Sequence, residues 1–141
     1  MERKEAYKEL NGYIGAKARE EYLKRRQKEL EDNLASLRVS SLNEHVRGGS
    51  RDAVERLIDE IDKMKKELAD QILQCERSRI SIENKIDRVE FPMDVILRKR
   101  YLEGKALNIV RIEMSKEFKR TYSDESVKHY LYRGVGQYCI I

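Results

Sequence analysis

The sequence predicts an all-α chain: a long antiparallel helical hairpin, paired as a coiled coil, followed by a small three-helix helix-turn-helix domain. Three observations predict it. Charged residues make up 40% of the 141 residues and aromatics 7%, with no Trp and one Pro, which starves a globular core but suits long amphipathic helices. Apolar residues recur at intervals of seven up to Val89. Beyond Pro92 that repeat gives way to short amphipathic segments punctuated by Gly104 and Ser123.

The elements follow in order. Leu23, Leu30 and Leu37, with Leu34 between them and Leu10 and Ile14 upstream, form one stripe and predict a helix from about Glu2 to Arg38. Gly12 and Gly15 weaken its first part by about 1 kcal/mol each relative to Ala, so order there must come from packing. The stretch 39–50, with its serines and the Gly48-Gly49 pair, predicts the hairpin loop, and Ser50 is placed to cap the next helix. Val54, Ile61, Leu68, Cys75, Ile82 and Val89 then keep a strict interval of seven, with Leu57, Ile58, Met64, Ile72 and Ile86 widening the stripe, for a helix over about 51–90. Arg79 lies near that stripe, as a polar register signal or a snorkelling side chain. Two helices alone leave the stripe half covered, so further burial is expected, by self-association into a homodimer or by packing on the C-terminal domain. Phe91-Pro92 ends the hairpin and sets a domain boundary, giving domains 1–92 and 93–134 and an apolar tail 135–141 that either covers the small domain's core, forms a dimer contact or is disordered.

Within 93–134 three short helices are predicted. Met93 to Glu103 stops at Gly104. Leu107, Val110, Met114 and Phe118 share one face of a second helix over about 106–119. After a turn at Arg120-Thr121-Tyr122, Ser123 caps a third helix over about 124–133. On that helix Val127, Tyr130, Leu131 and Gly134 face one way, while Glu125, Lys128, His129 and Tyr132 face the other. A short helix with an apolar back and a hydrogen-bonding front has the form that major-groove reading requires, with those four residues as base readers. Arg98, Lys99, Arg100, Lys105, Lys119, Arg120 and Arg133 are the candidate phosphate contacts.

Charge agrees with this placement. Residues 1–92 hold 20 Lys/Arg and 20 Asp/Glu, whereas 93–134 hold 10 and 6, so the net +4 lies wholly in the second stretch. The run LRKRYLEGKALNIVRIEM, followed by SDESVKHYLYRG, resembles region 4 of sigma-70-type factors, in which an arginine-rich helix ending in Tyr-x-Glu-Gly leads into a scaffold helix and a Ser-capped recognition helix. Preceded by a charged hairpin, it resembles the ArpU and RinA kind of phage late-gene regulators. In that resemblance Leu97, Tyr101 and Gly104 match the first helix and its stop. Leu107, Val110 and Met114 match the scaffold helix, and Ser123, Val127 and Leu131 match the cap and inner face of the recognition helix. Two departures stand out: Ser115 to Tyr122 inserts extra residues where the family has a short Leu-Gly-Tyr-Ser type turn, and Ile109-Val110-Arg111 replaces the usual Glu-Ile-Ala. The resemblance implies a sequence-specific DNA-binding transcription regulator, with double-stranded DNA and host RNA polymerase as partners.

Other classes are disfavoured or left as alternatives. There is no Gly-rich phosphate loop, nucleophile motif or Cys/His cluster, so no enzyme, metal, cofactor or small-molecule substrate is expected. Cys75 and Cys139 lie far apart, one at a heptad position and one in the tail, which indicates neither a disulfide framework nor a zinc site. No apolar run spans a membrane and MERKEAYKEL is no signal peptide, so a cytoplasmic protein is expected. The alternatives are a small terminase-like DNA-packaging protein, or a coiled-coil interaction module that binds host RNA polymerase without touching DNA.

Overall fold

The computed structural model describes residues 1–43 and 48–141, and side chains outside 40–50. The chain is all-α, as predicted: a long hairpin of α1 (Arg3–Asn43) and α2 (Gly48–Ile86), followed by α3 (Met93–Leu97), α4 (Leu107–Phe118) and α5 (Asp124–Cys139). A π-helical segment, Arg98–Leu102, continues α3. Helix persists to Asn43 and resumes at Gly48, so the expected loop over 39–50 is shorter than its composition implied; its residues 44–47 lie outside the described ones. Ser50 falls inside α2 and is therefore not its N-cap. At the other end α2 stops at Ile86, short of the expected 90, although Val89 in the following turn is still buried.

Packing divides the chain into two compact units, residues 1–16 with 76–141 and residues 17–75, rather than at the expected boundary beside Pro92. In the second unit the hairpin is antiparallel, with Arg19 4.0 Å from Glu67 and with Leu30 and Met64 lining one shallow cleft. Leu23, Leu30, Ile61 and Cys75 are buried there as their spacing predicts, while Ile72 is exposed. Glu20 is buried on the same stripe. Its carboxylate accepts from Lys17 Nζ at 2.6 Å and sits 3.3 Å from Lys24 Nζ, and the Lys17 bond in particular holds its pKa below the usual range against the opposing effect of burial. Such a paired charge on an apolar seam adds little stability but disfavours slipped pairings that would strand it.

The first unit has the larger core. Ala6, Leu10 and Tyr13 of α1 and Ile82 and Ile86 of α2 are buried in it, together with Met93, Ile96, Leu97 and Tyr101. Of the two expected sources of further burial, this is packing of the hairpin on the C-terminal helices. Residues 135–139 continue α5 rather than forming a separate tail, and Val135, Tyr138 and Cys139 are buried, which agrees with the expectation that this apolar segment covers the core. Gly134 permits close approach, since a Cβ there would stand 3.2 Å from Met93 Cβ and 3.3 Å from the Leu97 side chain. Arg79 is exposed and pairs with Glu83 at 3.5 Å, one turn on, so it is an ordinary surface residue.

Tyr138 organises this unit. Its hydroxyl donates to Glu9 Oε1 at 2.6 Å, and Lys85 Nζ donates to the same carboxylate at 2.9 Å. Burial and the neighbouring carboxylate push the Tyr138 phenol well above its ordinary pKa. For Glu9, burial acts upward, but the hydrogen bonds from Tyr138 and Lys85 prevail and its pKa falls below 4.5. A carboxylate with a depressed folded pKa contributes stability that is complete above the unfolded value and lost as pH drops through the folded one. Acid titration of stability should therefore show a loss beginning below about pH 4.5 that is smaller in the Glu9→Gln variant, where Glu20 and the other paired carboxylates still contribute theirs.

Gly12 and Gly15 sit inside α1, and a Cβ at either would meet nothing within 4 Å. Gly12→Ala and Gly15→Ala should each raise unfolding free energy by about 0.5–1 kcal/mol in urea titrations.

Candidate nucleic-acid interface

The helix-turn-helix is built on a core of Ile96, Val110, Met114, Tyr122 and Val127, with Leu107, Phe118, Tyr130 and Leu131 packed against it. The scaffold stripe is the predicted one. Gly104 adopts φ +68, which turns the chain so that Lys105 N donates back to Lys99 O at 3.1 Å and the first helix closes. The extra residues between Met114 and Ser123 are taken up by a longer α4, which runs to Phe118 because that ring packs on the core and against Phe91, ring centroids 4.9 Å apart. Only 119–123 separate α4 from α5.

That turn is held by specific contacts. Lys119 caps α4 in the left-handed region, φ 50 and ψ 38, where a non-glycine residue costs about 1–2 kcal/mol. Tyr122 N donates to Ser115 Oγ at 3.3 Å, which fastens the turn to α4. Ser123 is the N-cap of α5, as predicted, with Ser126 N donating to Ser123 Oγ at 3.1 Å and Ser123 N donating to Ser126 Oγ at 3.0 Å. Arg111 Nε donates to Asp124 Oδ1 at 2.8 Å, tying the start of α5 to α4. The Tyr122 hydroxyl is buried in the core and has no hydrogen-bond partner among the described residues. Removing an unsatisfied buried hydroxyl relieves its desolvation cost, so Tyr122→Phe should leave stability unchanged or raise it by about 1 kcal/mol in the same unfolding assay.

Glu125, Lys128, His129 and Tyr132 all lie exposed on one side of α5, opposite buried Val127 and Gly134. The first three are open to a ligand. Tyr132 is exposed too, but the Arg3 guanidinium covers one face of its ring at 3.7 Å from the centroid.

The predicted phosphate contacts separate into two groups. Arg98 bonds to Glu83 and Asp87 at 3.1 and 2.6 Å, and Arg100 donates to the Lys105 carbonyl at 3.1 Å. Lys105 bonds to Glu113 at 2.8 Å. Lys99 is 8% exposed, and its ammonium donates to Glu113 at 3.1 Å and Glu117 at 3.0 Å. Burial alone would lower the Lys99 pKa, but the two carboxylates raise it, so the group is a fixed internal cation. Arg98, Lys99 and Lys105 are corrections: carboxylates neutralise them and they bind the small domain together, whereas Arg100 meets a carbonyl and keeps its charge. Lys119, Arg120 and Arg133 are exposed and form no ion pair among the described residues. The same holds for Lys128 and for Lys116, a cation that the spacing of its own segment does not single out.

No family model matches the chain, and no curated protein or solved structure is significantly similar to it. Among the described residues no helix is long and apolar enough to cross a membrane.

Proposed function

We propose that the chain is a sequence-specific regulator of transcription that binds double-stranded DNA by presenting α5 to the major groove. One observation carries this reading. Of the Lys/Arg side chains between 93 and 134, those preceding Met114 are held by carboxylates or a carbonyl, while Lys116, Lys119, Arg120, Lys128 and Arg133 are exposed and without an ion pair among the described residues around α5. At 100° per residue, Lys128 and Arg133 flank the line of Glu125 and His129 on opposite sides. Cations along both edges of a reading helix match the two phosphate backbones that border a groove. Lys128 on one edge, His129 in the middle and Glu125 near the cap supply both donors and acceptors for base edges. The resemblance to sigma region 4 and to phage late-gene regulators supports a promoter as the target, in the cytoplasm of a bacterial host.

Selection from a randomised duplex library supplies the test probe. The enriched duplex should bind with an observed constant that falls steeply with salt, because each phosphate contact releases counterions. Lys128→Glu and Arg133→Glu should weaken binding, and each should flatten the salt slope by roughly 1. Equal affinity for the enriched duplex and a scrambled one at physiological salt would remove the claim of specificity. A closed ring by native mass measurement would point to DNA packaging instead.

A further inference from the structure

One cation on this surface comes from far away in sequence. We propose that Arg3, in the first turn of α1, is a phosphate-contacting residue of the DNA surface, with Tyr132 and Gly136 of α5 as its seat. The inference rests on the DNA-binding reading above and extends the same site.

Three contacts fix the guanidinium. Its carbon lies 3.7 Å from the Tyr132 ring centroid, and Nη1 donates to the Tyr132 backbone oxygen at 2.8 Å. A Cβ at position 136 would stand only 2.7 Å from Nη2, so Gly136 leaves the notch that the group occupies. A ring face and a carbonyl dipole attract a cation without neutralising it. Unlike Arg98, Lys99, Lys105 and Arg111, Arg3 has no carboxylate partner among the described residues. One of its five N–H donors is used by the Tyr132 carbonyl, which leaves the others for an anion of matching geometry, and a phosphate takes two in parallel.

Position favours the same partner. Tyr132 and Gly136 continue the line of Glu125 and His129 along α5. At 1.5 Å per residue they lie roughly 10 and 16 Å beyond Glu125. A major groove is about 12 Å wide, so a helix whose first turns read bases has its later turns at the groove's rim, against the backbone. Tyr132 is then a platform for Arg3 and not a base reader.

The test compares wild type, Arg3→Ala, Arg3→Lys and Gly136→Ala on the enriched duplex across a salt titration. Arg3→Ala should lose about tenfold in affinity and flatten the salt slope by about 0.9. Arg3→Lys should recover the slope but only part of the affinity, because an ammonium neither forks nor stacks as a guanidinium does. Gly136→Ala should lose affinity with no fall in melting temperature, since its methyl displaces the guanidinium while Ala favours the helix. An unchanged slope in Arg3→Ala would overturn the proposal and leave Arg3 a structural clasp. Tighter binding by Arg3→Ala would also overturn it, making Arg3 a mask over Tyr132. In both cases a weakening by Lys128→Glu keeps the DNA reading, whereas wild type that binds no duplex in a salt-dependent way removes both.

Discussion

The Glu9 carboxylate, shared between the Tyr138 hydroxyl and the Lys85 ammonium, joins the first helix, the end of the second and the end of the last at one point. Around it the C-terminal half of α5 is fixed by several independent contacts. Gly134 brings it against Met93 and Leu97, and the Gln137 side chain accepts from Glu90 N at 3.0 Å. Charged hydrogen bonds of this kind contribute about 1.5–3 kcal/mol each when both partners are present, and removing one leaves a costly orphan. Because that half is anchored, the N-terminal half of α5 can keep Glu125, Lys128 and His129 in solvent while its back closes the helix-turn-helix core. The small domain is thus not an appendage of the hairpin but is built partly from it.

The second organising feature is how charge is distributed. Lys99 is clasped by Glu113 and Glu117, and Arg98 by Glu83 and Asp87. In each case one cation meets two carboxylates four residues apart, Glu113 and Glu117 both on α4, and Glu83 on α2 with Asp87 in the turn that follows it. A buried Lys paired in this way adds modest net stability, yet its loss on one side only would strand a charge. These pairs set the positions of α3 and α4. The cations left over gather around the turn and α5, where none of them forms an ion pair among the described residues.

Much of this is legible in the amino-acid sequence alone. The α4 stripe, Gly104 as a stop, Ser123 as a cap and the heptads of α2 follow from spacing and backbone chemistry, and each is local. What is not legible there depends on residues distant in sequence. Arg98, Lys99 and Lys105 look free when only their own segment is read, and the signal that they are not is the acidic pairs Glu83/Asp87 and Glu113/Glu117 outside it. The segment 135–141 reads as a tail because it is apolar and uncharged, although Val127, Gly134, Val135 and Tyr138 keep one helical face. Tyr132 has one ring face covered because Arg3 reaches it from the start of the chain, a contact that no local pattern encodes. The division at 16/17 and 75/76 is hidden for the same reason, since it follows from contacts and not from composition.

The unbroken course of α5 has a mechanical consequence. A helix of 16 residues is about 24 Å of stiff rod, with its capped end at the exposed face and its far end locked to Glu9 and Lys85. Any tilt imposed on the exposed half is delivered as leverage on that lock, because no hinge lies between Ser123 and Cys139 to absorb it. Load at one end of the domain is therefore felt by the first turns of α1 and the last turns of α2.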